Sequence, residues 1–180
     1  MTRYVAFLRG VNVGGHNKVP MASLRELLSG LGHTDVSTLL QSGNAVFTSP
    51  ETDASAIAVE LERAVADRFG FEVRCTVRTA AELLAIAERC PFRPDDHDPA
   101  KLTVTFLAGP ADPATWNRLD PAAYAPDQLR LGEREIYAYS PDGLGRSKLM
   151  PLIGRTGRDL GATTRNWNTV TKLIATARES

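Results

Sequence analysis

Cysteine is scarce in this chain of 180 residues, with two in all, and long apolar runs and low-complexity tracts are missing. Cys75 and Cys90 form no Cys-x-x-Cys pair and have no His or Cys companions at metal-ligand spacing, so they read as buried free thiols and not as a disulfide or zinc framework. No apolar run approaches the roughly 18 residues that cross a bilayer, and the amino terminus lacks the basic, apolar, small-residue pattern of a secretory signal. The expected address is therefore the cytoplasm, with no membrane partner. The spacings of the phosphate loop and of the dinucleotide fingerprint are absent, as is a nucleophile elbow. Clustered carboxylates or His/Cys ligands are lacking too, which argues against metal-assisted hydrolysis. No metal and no cofactor are expected.

What is present is an ordinary globular composition, 43% apolar and 23% charged, on a chain long enough to bury a core without covalent staples. Formal net charge is zero, but it is unevenly spread. Residues 51–142 hold ten Lys/Arg against seventeen Asp/Glu, whereas 1–50 and 143–180 together hold eleven against four. If the two ends meet in space they form a basic face for an anion; a merely dipolar surface is the alternative.

Residues 3–9 form a β-forming run ended by Gly10 and the Gly14–Gly15 pair. Met21, Leu24, Leu27, Leu28 and Leu31 recur at helical spacing, and Gly32 supplies a stop. Two strand-like runs, 36–40 and 45–48, meet through Gln41-Ser42-Gly43-Asn44, whose Gly and Asn suit the positive φ of a tight hairpin. A helix over 53–69 and a strand over 71–77 complete a βαββαβ set, the split βαβ arrangement. The second half repeats it loosely: a linking helix over 80–90, strands over 101–107, 128–131 and 135–140, a short helix over 114–119 and a last helix over 164–177. The chain is thus expected to be α+β, with two ferredoxin-like halves in tandem, mainly antiparallel sheets and helices on one face. The first half is placed at 1–79 and the second, with its linker helix, at 80–180, packed as one compact unit. Residues 90–99, rich in Pro and Asp, are the expected connector.

Four segments are rich in Gly, Asn, Ser, Thr and Arg and contain no acid: residues 8–21, 40–47, 145–149 and 161–170. Within them stand Arg9-Gly-Val-Asn-Val-Gly-Gly15, Gln41-Ser-Gly-Asn44 and Thr163-Thr-Arg-Asn-Trp-Asn-Thr169. At these positions, and over essentially the whole chain, the sequence resembles the bacterial domain of unknown function 1697 (DUF1697) family. The resemblance implies a duplicated ferredoxin-like fold and brings no established activity, cofactor or catalytic residue.

The residues themselves point to an anion site. Arg9 and Lys18 bracket a loop whose glycines allow close backbone approach, with Asn12 beside them. Ser42 and Asn44 are placed at the hairpin tip, where making the turn is their plain role. Thr163 or Thr164 is expected to cap the last helix, leaving the amides of Arg165, Asn166 and Trp167 to face a phosphate or carboxylate. Trp167 reads as a core anchor or as a stacking platform. Arg146 and Lys148, with Arg155 and Arg158, form a strip suited to a phosphate backbone. Ser42 or Ser147 beside His16 is conceivable as a nucleophile and base, but position suggests no third orienting acid. The leading expectation is a binding module for a nucleotide, nucleic acid or other anionic ligand. An enzyme acting on a small anionic substrate and a ligand-free interaction module remain the alternatives, with catalytic residues and oligomeric state unassigned.

Overall fold

The structure, a computed structural model, describes residues 1–179. Contacts divide the chain into two units, the first running from Met1 to Leu84 with the stretch from Leu173, the second from Ala85 to Lys172.

In the first, β1 (Thr2–Leu8), α1 (Met21–Gly30), β2 (Thr34–Leu39), β3 (Asn44–Ser49), α2 (Ala54–Phe69) and β4 (Cys75–Thr79) follow one another. The strands form an antiparallel sheet in the order β2-β3-β1-β4, the ferredoxin-like arrangement. Alternate residues of a strand leave opposite faces of the sheet. Tyr4, Ala6 and Leu8 of β1 accordingly share one core with Phe47 of β3, Leu24 and Leu28 of α1, and Ile57, Leu61 and Val65 of α2. The ends of α2 follow from local chemistry. Asp53 Oδ1 accepts the Ser55 amide at 2.8 Å, and Gly70, at φ 80°, ends the helix in the left-handed region.

After α3 (Ala80–Glu88) the second set comprises β5 (Leu102–Phe106), α4 (Pro113–Trp116), α5 (Pro121–Tyr124), β6 (Gln128–Leu131), β7 (Glu135–Tyr139), α6 (Leu149–Thr156) and β8 (Thr163–Asn166), and α7 (Trp167–Arg178) begins in it and runs on into the stretch counted with the first. Its sheet runs β6-β7-β5-β8, again antiparallel. The core of this unit gathers Leu107, Trp116, Ile136, Leu149 and Ile153. The protein is therefore α+β with two tandem ferredoxin-like halves.

Several elements differ from their sequence reading. The expected strand over 71–77 begins only at Cys75, and α5, α6 and β8 have no counterpart among the expected elements. Asp112 and Asp120 each cap a four-residue helix that carries Pro at its first position, too short for any apolar period to register. Residues 90–99 are not a free connector. Phe92 is buried, its ring 5.9 Å from Tyr139 and 5.3 Å from His97, with the Arg130 guanidinium 5.8 Å from its centroid. The segment is folded onto the β6–β7 hairpin of the second unit.

Candidate functional site

In the first unit, Asn12 organises the glycine loop. It stands at φ 56°, as does Asn17 at φ 50°, a left-handed conformation that asparagine tolerates. Its Nδ2 donates to the Val19 carbonyl at 2.9 Å and to the Gln41 carbonyl at 2.6 Å, while its Oδ1 accepts the Val19 amide at 2.9 Å. The loop is thereby closed on itself and tied to the hairpin. Asn12 is a scaffold residue, its amide committed to backbone partners.

The hairpin itself is a four-residue loop between Leu39 and Asn44. Positive φ falls on Leu40 (60°) and Gly43 (87°), not on Asn44. Asn44 opens β3, fully buried, and donates to the Leu39 carbonyl at 2.8 Å and to Ser42 Oγ at 3.0 Å. Gly43 has no room for a side chain: a Cβ there would stand 2.6 Å from Val11 Cγ2 and 2.9 Å from Leu8 Cβ. The Gln-Ser-Gly-Asn motif thus seats the hairpin against the root of the glycine loop.

What this scaffold presents to solvent is distinct from what builds it. Lys18, His16 and Asn17 are exposed and Arg9 is half-buried. Among the described residues neither Arg9 nor Lys18 is engaged in an ion pair or side-chain hydrogen bond. No acidic residue precedes Glu26 in the chain, and none lies between Asp35 and Glu51.

In the second unit the expected capping of the last helix is overturned. Thr163–Asn166 is a strand, and Arg165 pairs with Val104 across it. Thr164 Oγ1 lies 2.7 Å from Thr105 Oγ1, and Thr163 Oγ1 donates to the Gly161 carbonyl. The cap is Asn166, whose Oδ1 accepts the Thr169 amide at 2.9 Å. Arg165, expected at the start of the last helix facing an anion, is only 9% exposed and donates from Nη1 to the Thr164 carbonyl. The propensity of the Thr-Thr pair for extended backbone, together with an open ladder position beside β5, outweighs its capping tendency. Trp167 is 6% exposed, a buried anchor.

Ser147 is likewise structural. Its hydroxyl donates to the buried Asp127 carboxylate at 2.6 Å and accepts the amides of Leu149 and Met150, closing the start of α6. The neighbouring Arg146 and Lys148 are exposed cations, without ion pair or side-chain hydrogen bond among the described residues.

One polar cluster was not singled out from the sequence. Glu135, buried at the start of β7, accepts the Arg134 amide on Oε2 at 2.9 Å and faces Arg89 Nη2 at 3.3 Å with Oε1. Tyr137 OH donates to the Ile86 carbonyl at 2.6 Å, and burial beside Glu135 holds its phenol well above the ordinary range. The cluster fastens Ile86 and Arg89 to the β6–β7 hairpin within the second unit. Its only trace in the sequence is Gly132, where a Cβ would collide with the Glu135 carboxylate. Among the described residues no group of three His, Cys, Asp or Glu side chains is placed to hold a metal ion, and no helix is long and apolar enough to cross a membrane.

Among protein families, a model described as "Protein of unknown function (DUF1697)" matches residues 1–137. A solved structure described as a conserved bacterial protein from Streptococcus pneumoniae is 27% identical, covers 98% of this chain and 99% of its own, and superposes with a TM-score of 0.80. Among curated proteins none matches.

Proposed function

Because the chain belongs to the DUF1697 family, whose description names no activity, we propose from its own residues that it binds a phosphate-bearing ligand, a nucleotide or nucleic acid. The contacts are the unengaged cations of the glycine loop, Arg9 and Lys18. The single observation that carries the reading is the division of labour in this loop. The uncharged polar residues of the motif, Asn12 and Asn44, are used to hold a rigid frame, while the side chains of the cations on that frame have no ion pair or hydrogen bond among the described residues, in a stretch free of acids. A frame held rigid before binding loses less conformational freedom on taking up a ligand. Arg146 and Lys148 carry the same signature in the second unit, exposed beside a serine that is itself committed to Asp127 and the start of α6.

The test is fluorescence anisotropy on labelled oligonucleotides at two salt concentrations. Binding should weaken linearly in log–log terms with salt as counterions are released, and Arg9→Ala with Lys18→Ala should lower that slope by roughly one for each phosphate left unpaired. No binding at low salt, where attraction is greatest, would remove this reading.

A further inference from the structure

The proposed loop carries a second feature that phosphate binding does not use. Large apolar side chains are exposed at four described positions: Met1, Val13, Leu40 and Val59. Val13 is 63% exposed and Leu40 52%. These two flank the same hydrogen bond, for Val13 follows Asn12 and Leu40 precedes Gln41, the donor and acceptor that join loop to hairpin.

Leu40 is also held at φ 60°. Asparagine or glycine would occupy that left-handed position at lower cost, and a leucine there, 52% exposed, gains only part of what burial gives a core residue. Neither backbone preference nor core packing accounts for its identity. An apolar surface met outside the folded chain does.

We propose that the ligand of this loop is single-stranded nucleic acid, with base faces resting on Val13 and Leu40 while Arg9 and Lys18 take the phosphates. The proposal rests on the phosphate-binding reading and names its substrate class. Exposed His16 and Gln41 stand beside the two apolar tips in sequence and offer hydrogen-bonding groups to base edges. An acyl chain would leave those groups unsatisfied, which disfavours a lipid surface. A duplex hides its base faces in the stack, which favours a single strand. The sheet aromatics Phe7 and Phe47 are fully buried, so the aliphatic tips replace the stacking rings that an RNA-binding sheet of this topology presents.

The experiment measures anisotropy of a short labelled oligothymidylate, with a duplex of equal length, phosphatidylglycerol vesicles and inorganic phosphate as comparison arms. Leu40→Asn suits the left-handed backbone and keeps the fold; Val13→Ser is the second variant, and thermal melting checks both. Each should weaken single-strand binding by about tenfold, the scale of removing one large apolar side chain from an interface, and leave the salt slope unchanged because every phosphate keeps its cation. The duplex should bind more weakly than the single strand, and inorganic phosphate should compete poorly. Equal binding by duplex and single strand, or oligonucleotide binding that neither variant weakens, overturns the single-strand proposal and leaves the phosphate reading standing. Vesicle binding abolished in both variants, with no oligonucleotide binding at low salt, overturns both.

Discussion

Asn12 Nδ2 donates to the carbonyl oxygen of Gln41 across 2.6 Å, and this is the hydrogen bond through which the glycine loop and the β2–β3 hairpin become one frame. The two residues are 29 positions apart, so the bond is tertiary although both partners lie in short local motifs. Replacing Asn12 by Asp keeps the shape and removes the donor. A carboxylate would then face the carbonyls of Val19 and Gln41. Urea denaturation should show a loss of about 2 kcal/mol, the scale of unmatched polar groups at such a site.

Gly43 is constrained in two ways, by φ and by space, whereas Gly15 is constrained by φ alone. A Cβ on Gly15 meets nothing within 4 Å. Gly15→Ala should therefore cost roughly 1 kcal/mol in conformational strain. Gly43→Ala adds a clash with Val11 and Leu8 and should cost about 3 kcal/mol. Thermal melting of the two variants side by side measures the difference, and equal losses would contradict the close packing of hairpin on loop.

Asn166 caps α7 through the Thr169 amide. Asn166→Ala should destabilise by about 1 kcal/mol, and Asn166→Asp should be neutral or slightly stabilising because its charge favours the helix N-terminus. The same pair at Thr164 should behave differently, since Thr164 is a strand residue bonded to Thr105. If Thr164→Asp were the better tolerated of the two aspartates, the assignment of the cap would be wrong.

His33 is buried with its ring 4.7 Å from that of Phe47, and burial lowers its pKa, an effect that Glu60 at 4.0 Å opposes more weakly. The folded state thus favours the neutral ring. Its contribution is complete above the unfolded value of about 6.5 and is lost as pH falls through the lowered folded value. Urea midpoints measured from pH 7 downward should fall more steeply for the native protein than for His33→Leu. Parallel curves for the two would show that His33 has no part in the acid sensitivity.

Much of the first half was legible in the sequence because each element there carries a local signal. The 3.6-residue apolar period of α1, and Asp53 and Gly70 at the ends of α2, act within a few residues of where they stand. The second half was read less well for the converse reason. Nothing local distinguishes Thr163–Asn166 as a strand from the start of a helix. Its pairing with β5, about sixty residues earlier, decides the matter by filling ladder hydrogen bonds that a helix would leave open.

The candidate site divides along the same line. Its residue types were readable, since glycines, asparagines and cations without acids mark a polar, adaptable segment wherever they fall. Their roles were not. Asn12 and Asn44 hold the loop and hairpin of the first unit, Thr164 and the buried Arg165 belong to a strand of the second, and Arg9, Lys18, Arg146 and Lys148 remain available. Val13 and Leu40 look in the sequence like any core residues. By itself the sequence determined most element types of the first half and the separation of basic ends from an acidic middle, because these depend on local period and count. Only the tertiary structure decided which polar groups are spent on the backbone and which apolar ones are left in water, because both depend on the partner that the fold brings to each residue.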